Sequence, residues 1–343
     1  MPFLQTAAIG ALGGILFTVL HLPIPWLLGP MLAVMVSARL LPFNLQWDKR
    51  MRNAGLIVIG YVIGRSLTPT ALAEIFSQFW LMLVFTASLV ALCIGIAYMI
   101  TKLSGLDFKT ALLGTIPGGM TQALVMAEET EGVDVAIVTM TQTVRLLIII
   151  CSVPIIVAVM PSEPLTVTEE IFHFTPSFVG YMLAATIAAL LAAHFRFPTA
   201  YLIGPALITV ILQLILPSEP MPAPIIHVAQ LAMGVSVGLM LKPSEGKQKG
   251  ALLYALLSGS ILFVAASLLA LLFYQLTDAS AATSLLALVP GGLDQLGMVA
   301  HAVGADLPLV SGYQIFRLFF VLLIVPFIMR AIFNHIDNSH TST

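Results

Sequence analysis

The sequence predicts an all-α polytopic membrane protein made of two related repeats inserted in opposite orientations. Three observations carry this. Of 343 residues, 59% are hydrophobic and only 9% charged, whereas a soluble domain carries roughly a quarter charged residues. Motifs recur in the same order in both halves. Lys and Arg fall in opposite loops of the two halves, and basic residues mark cytoplasmic loops. No polar stretch is long enough to fold as a separate soluble domain. The net charge of −2 offers no basic field for nucleic acid, so no direct nucleic-acid partner is expected.

Each half reads as six apolar segments. They lie at about 4–20, 23–41, 53–68, 77–101, 109–130 and 134–160, then at about 176–194, 197–216, 227–241, 250–276, 281–302 and 306–334. The first residues lack a positive n-region and a cleavage site, so the opening run is expected to stay as a span. The reading divides the chain into a first repeat (1–160), an extracytoplasmic Pro/Thr/Glu-rich linker (161–175), a second repeat (176–337) and a cytoplasmic tail (338–343).

Self-comparison supports the repeats. Pro25-Trp-Leu-Leu-Gly-Pro30 recurs as Ala200-Tyr-Leu-Ile-Gly-Pro205. Gly60-x-x-x-Gly64 recurs as Gly234-x-x-x-Gly238, and Pro117-Gly118-Gly119-x-x-Gln122 as Pro290-Gly291-Gly292-x-x-Gln295. Gln142-x-x-Arg145 recurs as Gln314-x-x-Arg317. The offset drifts only from 175 to 172, and chance likeness between apolar runs would not keep Gly, Pro, Gln and Arg in one register.

Orientation follows from the basic residues. In the first half they follow segment two (Arg39, Lys49, Arg50, Arg52) and segment four (Lys102, Lys109). In the second half those loops have none, and the cations come after segment one (Arg196), after segment three (Lys242, Lys247, Lys249) and at the end (Arg330). Inversion needs an odd number of crossings per half, so one of six segments must enter and return. The fifth is broken by Pro-Gly-Gly and is the natural candidate. The expected topology is ten transmembrane helices plus two re-entrant or broken helices, with both termini cytoplasmic, in a bacterial-type cytoplasmic membrane.

Broken helices at matching positions of inverted repeats point to a transport site. After each Pro-Gly-Gly a half-helix begins with free N–H groups that favour an anion. This nominates Gly118, Gly119, Thr121 and Gln122, with Gly291, Gly292, Asp294 and Gln295 as their mates. A proline kink closed by packing is the alternative. Arg145 lies eleven residues beyond Asp134, about 16 Å into the bilayer at 1.5 Å per residue, close to the middle of a ~30 Å core. Arg317 stands at the same depth from Asp306. An intramembrane Arg is costly and faces a cavity or a partner. Gln142 and Gln314 share the helix faces of these arginines, and a guanidinium fork suits a carboxylate-like anion. The alternative is structural pairing, for example with Asp294 or Glu128.

The remaining polar residues carry less. Asp294 would either move a proton or cation, or neutralise an arginine. Glu128, Glu129 and Glu131 read as solvated, and Arg65 as an interface anchor. The Leu-x-Gly-Pro motifs suggest tight turns and close packing at the join of segments one and two. Cys93 and Cys151 are unpaired in pattern and read as inert. The seven histidines show no metal spacing. No catalytic constellation stands out, so the chain reads as neither an enzyme nor a cofactor protein.

These repeated Pro-Gly-Gly-x-x-Gln, Gln-x-x-Arg and Leu-x-Gly-Pro elements make the chain resemble the AbrB membrane-protein family over about residues 9–333. Members of that family carry the same duplication. Labels given to them include ammonia monooxygenase, regulator of gene expression and transporter-like protein. The small soluble DNA-binding AbrB regulators are a different group that this chain does not resemble. The resemblance implies an acidic residue where Gln122 and Gln295 stand, and a histidine where Thr141 or Tyr313 stands. This sequence departs at all four, which leaves Asp294 as the candidate for any proton coupling.

The expected function is a secondary transporter or exporter of a small anionic solute, by alternating access between the repeats. The resemblance adds a second reading, a membrane protein that regulates gene expression indirectly. A membrane oxygenase would need clustered metal ligands that the sequence lacks. The partners expected are the lipid bilayer and the solute, and a homo-oligomer is compatible with the sequence.

Overall fold

The computed structural model describes residues 2–22, 24–40, 44–117, 120–130, 132–160, 175–240 and 249–341, and its sixteen elements are all helices. In the first half they are α1 (Pro2–Val19), α2 (Pro25–Leu40), α3 (Lys49–Ser66), α4 (Pro69–Ser77), α5 (Phe79–Ser104), α6 (Phe108–Thr115), α7 (Met120–Glu129) and α8 (Val135–Val159). The second half contributes α9 (Pro176–His194), α10 (Ala200–Leu212), α11 (Ala223–Met240), α12 (Lys249–Leu276), α13 (Ala281–Leu288), α14 (Leu293–Val303), α15 (Leu307–Leu323) and α16 (Val325–Thr341). Each predicted segment corresponds to a helix, and each fifth segment is broken in two at Pro-Gly-Gly. The last segment also breaks, between α15 and α16. Residues 161–174 of the linker lie outside the described residues, and α16 runs on into the stretch read as a tail.

Six stretches are long and apolar enough to cross a membrane: α1, α5, α8, α9, most of α12, and Leu307–Phe333 across α15 and α16. Among the described residues, the pair α3 and α4 is apolar enough to make a seventh if it is one broken span, but it bends by 81° at the break before Pro69. The helix α4 was not foreseen. Among the other apolar helices, α2, α10 and α11 are shorter.

The surface has the chemistry of a membrane protein. On α1 the face turned inward is Thr6, Gly10, Gly13 and Gly14, while Leu12, Leu16 and Val19 are more than half exposed. On α12, Ala255, Ala266 and Ala270 are buried and Leu253, Val264, Leu268 and Leu271 are exposed. Large apolar side chains outward and small ones inward would aggregate in water, because such patches far exceed what soluble surfaces carry. In lipid the arrangement is the stable one, since small residues let helix backbones approach.

The chain forms two compact units, each drawing on both halves. The first holds Met1–Phe76, Pro154–Pro243 and Asp294–Leu309, and the second holds Ser77–Val153, Ser244–Leu293 and Val310–Thr343. In the first unit α1 packs on α2 and α9 on α10, but the two halves also exchange partners: α2 lies against α11 and α3 against α10. The two repeated motifs meet at these crossings. A Cβ on Gly60 would stand 2.4 Å from the Leu202 carbonyl oxygen and 3.0 Å from Pro205 Cβ. One on Gly234 would stand 2.4 Å from the Leu27 carbonyl oxygen and 3.4 Å from Pro30 Cβ. Only glycine permits this approach. The Leu-x-Gly-Pro motifs therefore lie inside α2 and α10, with Pro30 and Pro205 as internal prolines. The expected close packing is found, as a seat for the other half's Gly-x-x-x-Gly face; the expected placement in tight turns is corrected, since the motifs are helical.

In the second unit α5 packs on α6, α12 on α13, and α5 on α12. Phe85 on α5 meets Phe273 on α12 edge to face at 5.3 Å between centroids, and Tyr313 on α15 stacks its edge on Phe273 at 5.1 Å. These aromatics fix the frame on which the two broken helices hang.

Candidate functional site: the clamped broken helices

The short helices α6 and α13 are built alike. Asp107 caps α6 by accepting from the Thr110 N–H, and Ser280 caps α13 by accepting from the Thr283 N–H. Both helices stop where a proline follows. Ile116 has φ −61°, ψ 128° and Val289 has φ −61°, ψ 133°, the extended geometry that a following proline imposes. An eight-residue helix leaves its last four carbonyls without helical partners. Inside a membrane each unpaired carbonyl costs several kcal/mol.

The Gln-x-x-Arg motifs meet that demand. Gln142 Nε2 donates to the carbonyls of Leu113 (2.9 Å) and Ile116 (3.0 Å). Arg145 Nη1 donates to those of Thr115 (3.3 Å) and Ile116 (3.1 Å), and its Nη2 to Gln142 Oε1 at 2.7 Å. In the second half Gln314 Nε2 donates to the carbonyls of Leu286 (2.7 Å), Ala287 (3.3 Å) and Val289 (3.4 Å). Arg317 Nη1 donates to Leu288 (3.3 Å) and Val289 (2.9 Å), and Nη2 to Gly291 (3.0 Å) and to Gln314 Oε1. The same two residues thus clamp the same end of the same broken helix in each half. Close approach of α6 to α8 helps the first clamp reach, since a Cβ on Gly114 would lie 3.1 Å from Thr141 Cβ.

Magnitudes explain why arginine is retained there. On insertion scales an arginine at mid-membrane costs about 2.5–3.5 kcal/mol. Each clamp pairs at least three carbonyls that would otherwise cost several kcal/mol apiece, and a cation suits the negative end of a helix. The positive charge is not cancelled, however. Arg145 and Arg317 are both buried, and among the described residues neither has a carboxylate partner. They are near enough for their like charges to repel one another, and both lie near the buried Cys93. Arg145 Nε is buried and has no hydrogen-bond acceptor among the described residues.

Asp294 belongs to the first unit, in the first turn of α14. The expected pairing of an arginine with Asp294 is found, but the arginine is Arg52 and neither Arg145 nor Arg317. Arg52 Nη2 stands 3.2 Å from Asp294 Oδ2, and Gln295 Nε2 donates to the same oxygen at 3.2 Å. The sequence reading placed Arg52 in a cytoplasmic loop; it is in the first turn of α3, and its role went unseen. The other nominated residues divide. Gly291 and Gly292 form the irregular link between α13 and α14. Gly118 and Gly119 lie outside the described residues. Thr121 and Gln122 sit in the first turn of α7, and their side chains lie outside the described set. Glu128 and Glu129 are exposed, and Glu131 lies outside the described residues.

The matching architecture runs through nearly the whole chain, and so does the comparison with known proteins. The family model described as "Transition state regulatory protein AbrB" matches residues 26–333. The chain belongs to the AbrB family. Two relatives are similar along their length. The Bacillus subtilis (strain 168) protein named "Uncharacterized protein YhjN" is 25% identical, over 93% of this chain and 90% of its own. The Escherichia coli (strain K12) protein named "Putative regulator AbrB" is 28% identical, over 97% of each chain.

Where the family resemblance implies histidines, this chain has hydroxyls with local partners. Thr141 Oγ1 donates to the Ile137 carbonyl of its own helix at 2.9 Å, and the Tyr313 hydroxyl to Gln78 Oε1 at 3.1 Å. Among the described residues, no three His, Cys, Asp or Glu side chains gather as a metal site requires.

Proposed function

We propose that this AbrB-family protein is a multi-pass secondary transporter of a small anionic solute. Its two halves are inverted repeats with ten crossings, two re-entrant hairpins and both termini on the cytoplasmic side. Solute would gain access to alternate sides through movement of repeat-derived bundles. The observation that carries the anionic class is the pair of buried, repeat-related guanidinium groups, Arg145 and Arg317, with no described carboxylate to balance them. Arg145 Nε, which has no acceptor among the described residues, would be a further donor to that solute. The charge that the clamps leave uncompensated is what an anion would neutralise. Gln142 and Gln314 hold the guanidinium groups in place, and Gly291 and Gly292 would let backbone approach the solute.

The test is counterflow into proteoliposomes, using labelled acetate, succinate, phosphate and sulfate with choline as a cationic control. The expected result is exchange of at least one anion, lost in Arg145→Gln and Arg317→Gln variants that reconstitute normally. Full exchange by both variants would remove the arginines from the site.

The name of the Escherichia coli relative favours a second reading, regulation of gene expression. This chain would act on expression indirectly, through solute level. A folded, transport-dead variant that still regulates would separate the two readings.

A further inference from the structure

The second hairpin is held differently on its two sides. Its α13 arm lies in the second unit, where Gln314 and Arg317 grip carbonyls from Leu286 to Gly291. Its α14 arm lies in the first unit and touches α3 at two places. Asp294 is paired with Arg52 at 3.2 Å, and a Cβ on Gly297 would come within 3.0 Å of Ile63 Cδ1. Arg52 and Ile63 are eleven residues apart on α3. The chain between the two arms is Pro290-Gly291-Gly292, without helical hydrogen bonds.

We propose that Arg52 is a positioning residue that fastens the first turn of α14 to α3, making Pro290-Gly291-Gly292 a hinge with each side separately held. The ion pair suits that task. The Asp294 side chain is 10% exposed and that of Arg52 36% exposed, so the contact is shielded from full screening yet costs less desolvation than a buried pair. The carboxylate also lies in the first turn of α14, where a negative charge is favoured.

Among the described residues the first hairpin shows no such fastener. In the Pro-Gly-Gly register Asp294 corresponds to Thr121, and in the Gly-x-x-x-Gly register Arg52 corresponds to Ile226. Neither can form an ion pair. The unit assignment agrees, because α7 stays with the second unit while α14 joins the first. The two hairpins are therefore mechanically unlike, although their clamps match. The fastening stands on the contacts alone; its use, as the hinge that moves during transport, rests on the transporter reading.

The test is amide hydrogen exchange on the full chain in nanodiscs, with no solute present. Peptides covering 281–288 and 293–303 report the two arms. Arg52→Ala and Asp294→Asn are expected to speed exchange in 293–303 by about tenfold, equivalent to 1.4 kcal/mol of local opening. The 281–288 arm should stay within about twofold of the parent. Arg52→Lys, which keeps the charge, should restore protection, as should the exchange Arg52→Asp with Asp294→Arg. Arg317→Gln should give the reverse pattern. Equal acceleration of both arms, or none in either, would overturn the proposal. The pattern is read without solute, so failure here is distinct from failure of the counterflow experiment.

Discussion

Gly60 on α3 lies against Leu202 on α10 so closely that a single added carbon would stand 2.4 Å from the Leu202 carbonyl oxygen. Gly234 bears the same relation to Leu27. The contact is backbone to backbone, so no side-chain rotation can relieve it. Gly60→Ala and Gly234→Ala are each expected to lower stability by about 1–3 kcal/mol, read as a fall in Tm in detergent. Gly95→Ala is the control: nothing lies within 4 Å of that added carbon, and its Tm should hold or rise slightly.

The clamps give a second expectation. Gln142→Leu or Gln314→Leu removes a donor shared by buried carbonyls, and an unpaired buried polar group costs about 1–3 kcal/mol. Both variants should melt earlier than the parent. Arg145→Lys separates charge from geometry, because an ammonium keeps the charge without the planar fork. It should lose stability while keeping more anion counterflow than Arg145→Gln. Equal counterflow from the two would assign Arg145 to fold alone.

Orientation can be read with single cysteines at position 102 and position 277, in a background with Cys93 and Cys151 replaced. The proposed inverted topology puts these two loops on opposite sides of the membrane. An impermeant maleimide should reach one from each side. Labelling of both from the same side would make the repeats parallel and remove the re-entrant hairpins.

Cys93 is completely buried in the second unit, near Arg145 and Arg317. A permeant maleimide should leave it unlabelled in the folded protein and label it after denaturation in detergent with heat. Labelling under native conditions would mean that the neighbourhood of the arginines opens to small molecules at rest.

Much of this was written in the sequence because membrane helices announce themselves by length and apolarity. The breaks at Pro117 and Pro290 were legible for a local reason, since proline and paired glycines end helices wherever they occur. The matching places of Arg145 and Arg317, each three residues after a Gln on the helix that follows a break, were legible by counting residues. The acceptors they use were not legible, because carbonyls at the end of α6 or α13 are backbone atoms with no residue-type signature. Orphan carbonyls before a proline, next to a Gln-x-x-Arg face in the following helix, are the signal that could have found them. Arg52 was missed because a cation at a helix start resembles any loop cation. Its partner is 242 residues away, and only the fold brings the two together. The Leu-x-Gly-Pro motifs read both as tight turns and as close packing, because proline and glycine carry the same local signal in a turn and in a close helix crossing; only the second is found.

The exchange of partners between α2 and α11, and between α3 and α10, bears on how the molecule is made. When α3 leaves the ribosome its glycine face has nowhere to go, since α10 has yet to be synthesised. The first half must wait in the bilayer with two open helix faces until the second arrives. Neither half is a finished part, because each carries helix faces that only helices of the other half cover. Two separately expressed halves should each be short-lived, and survive when made together.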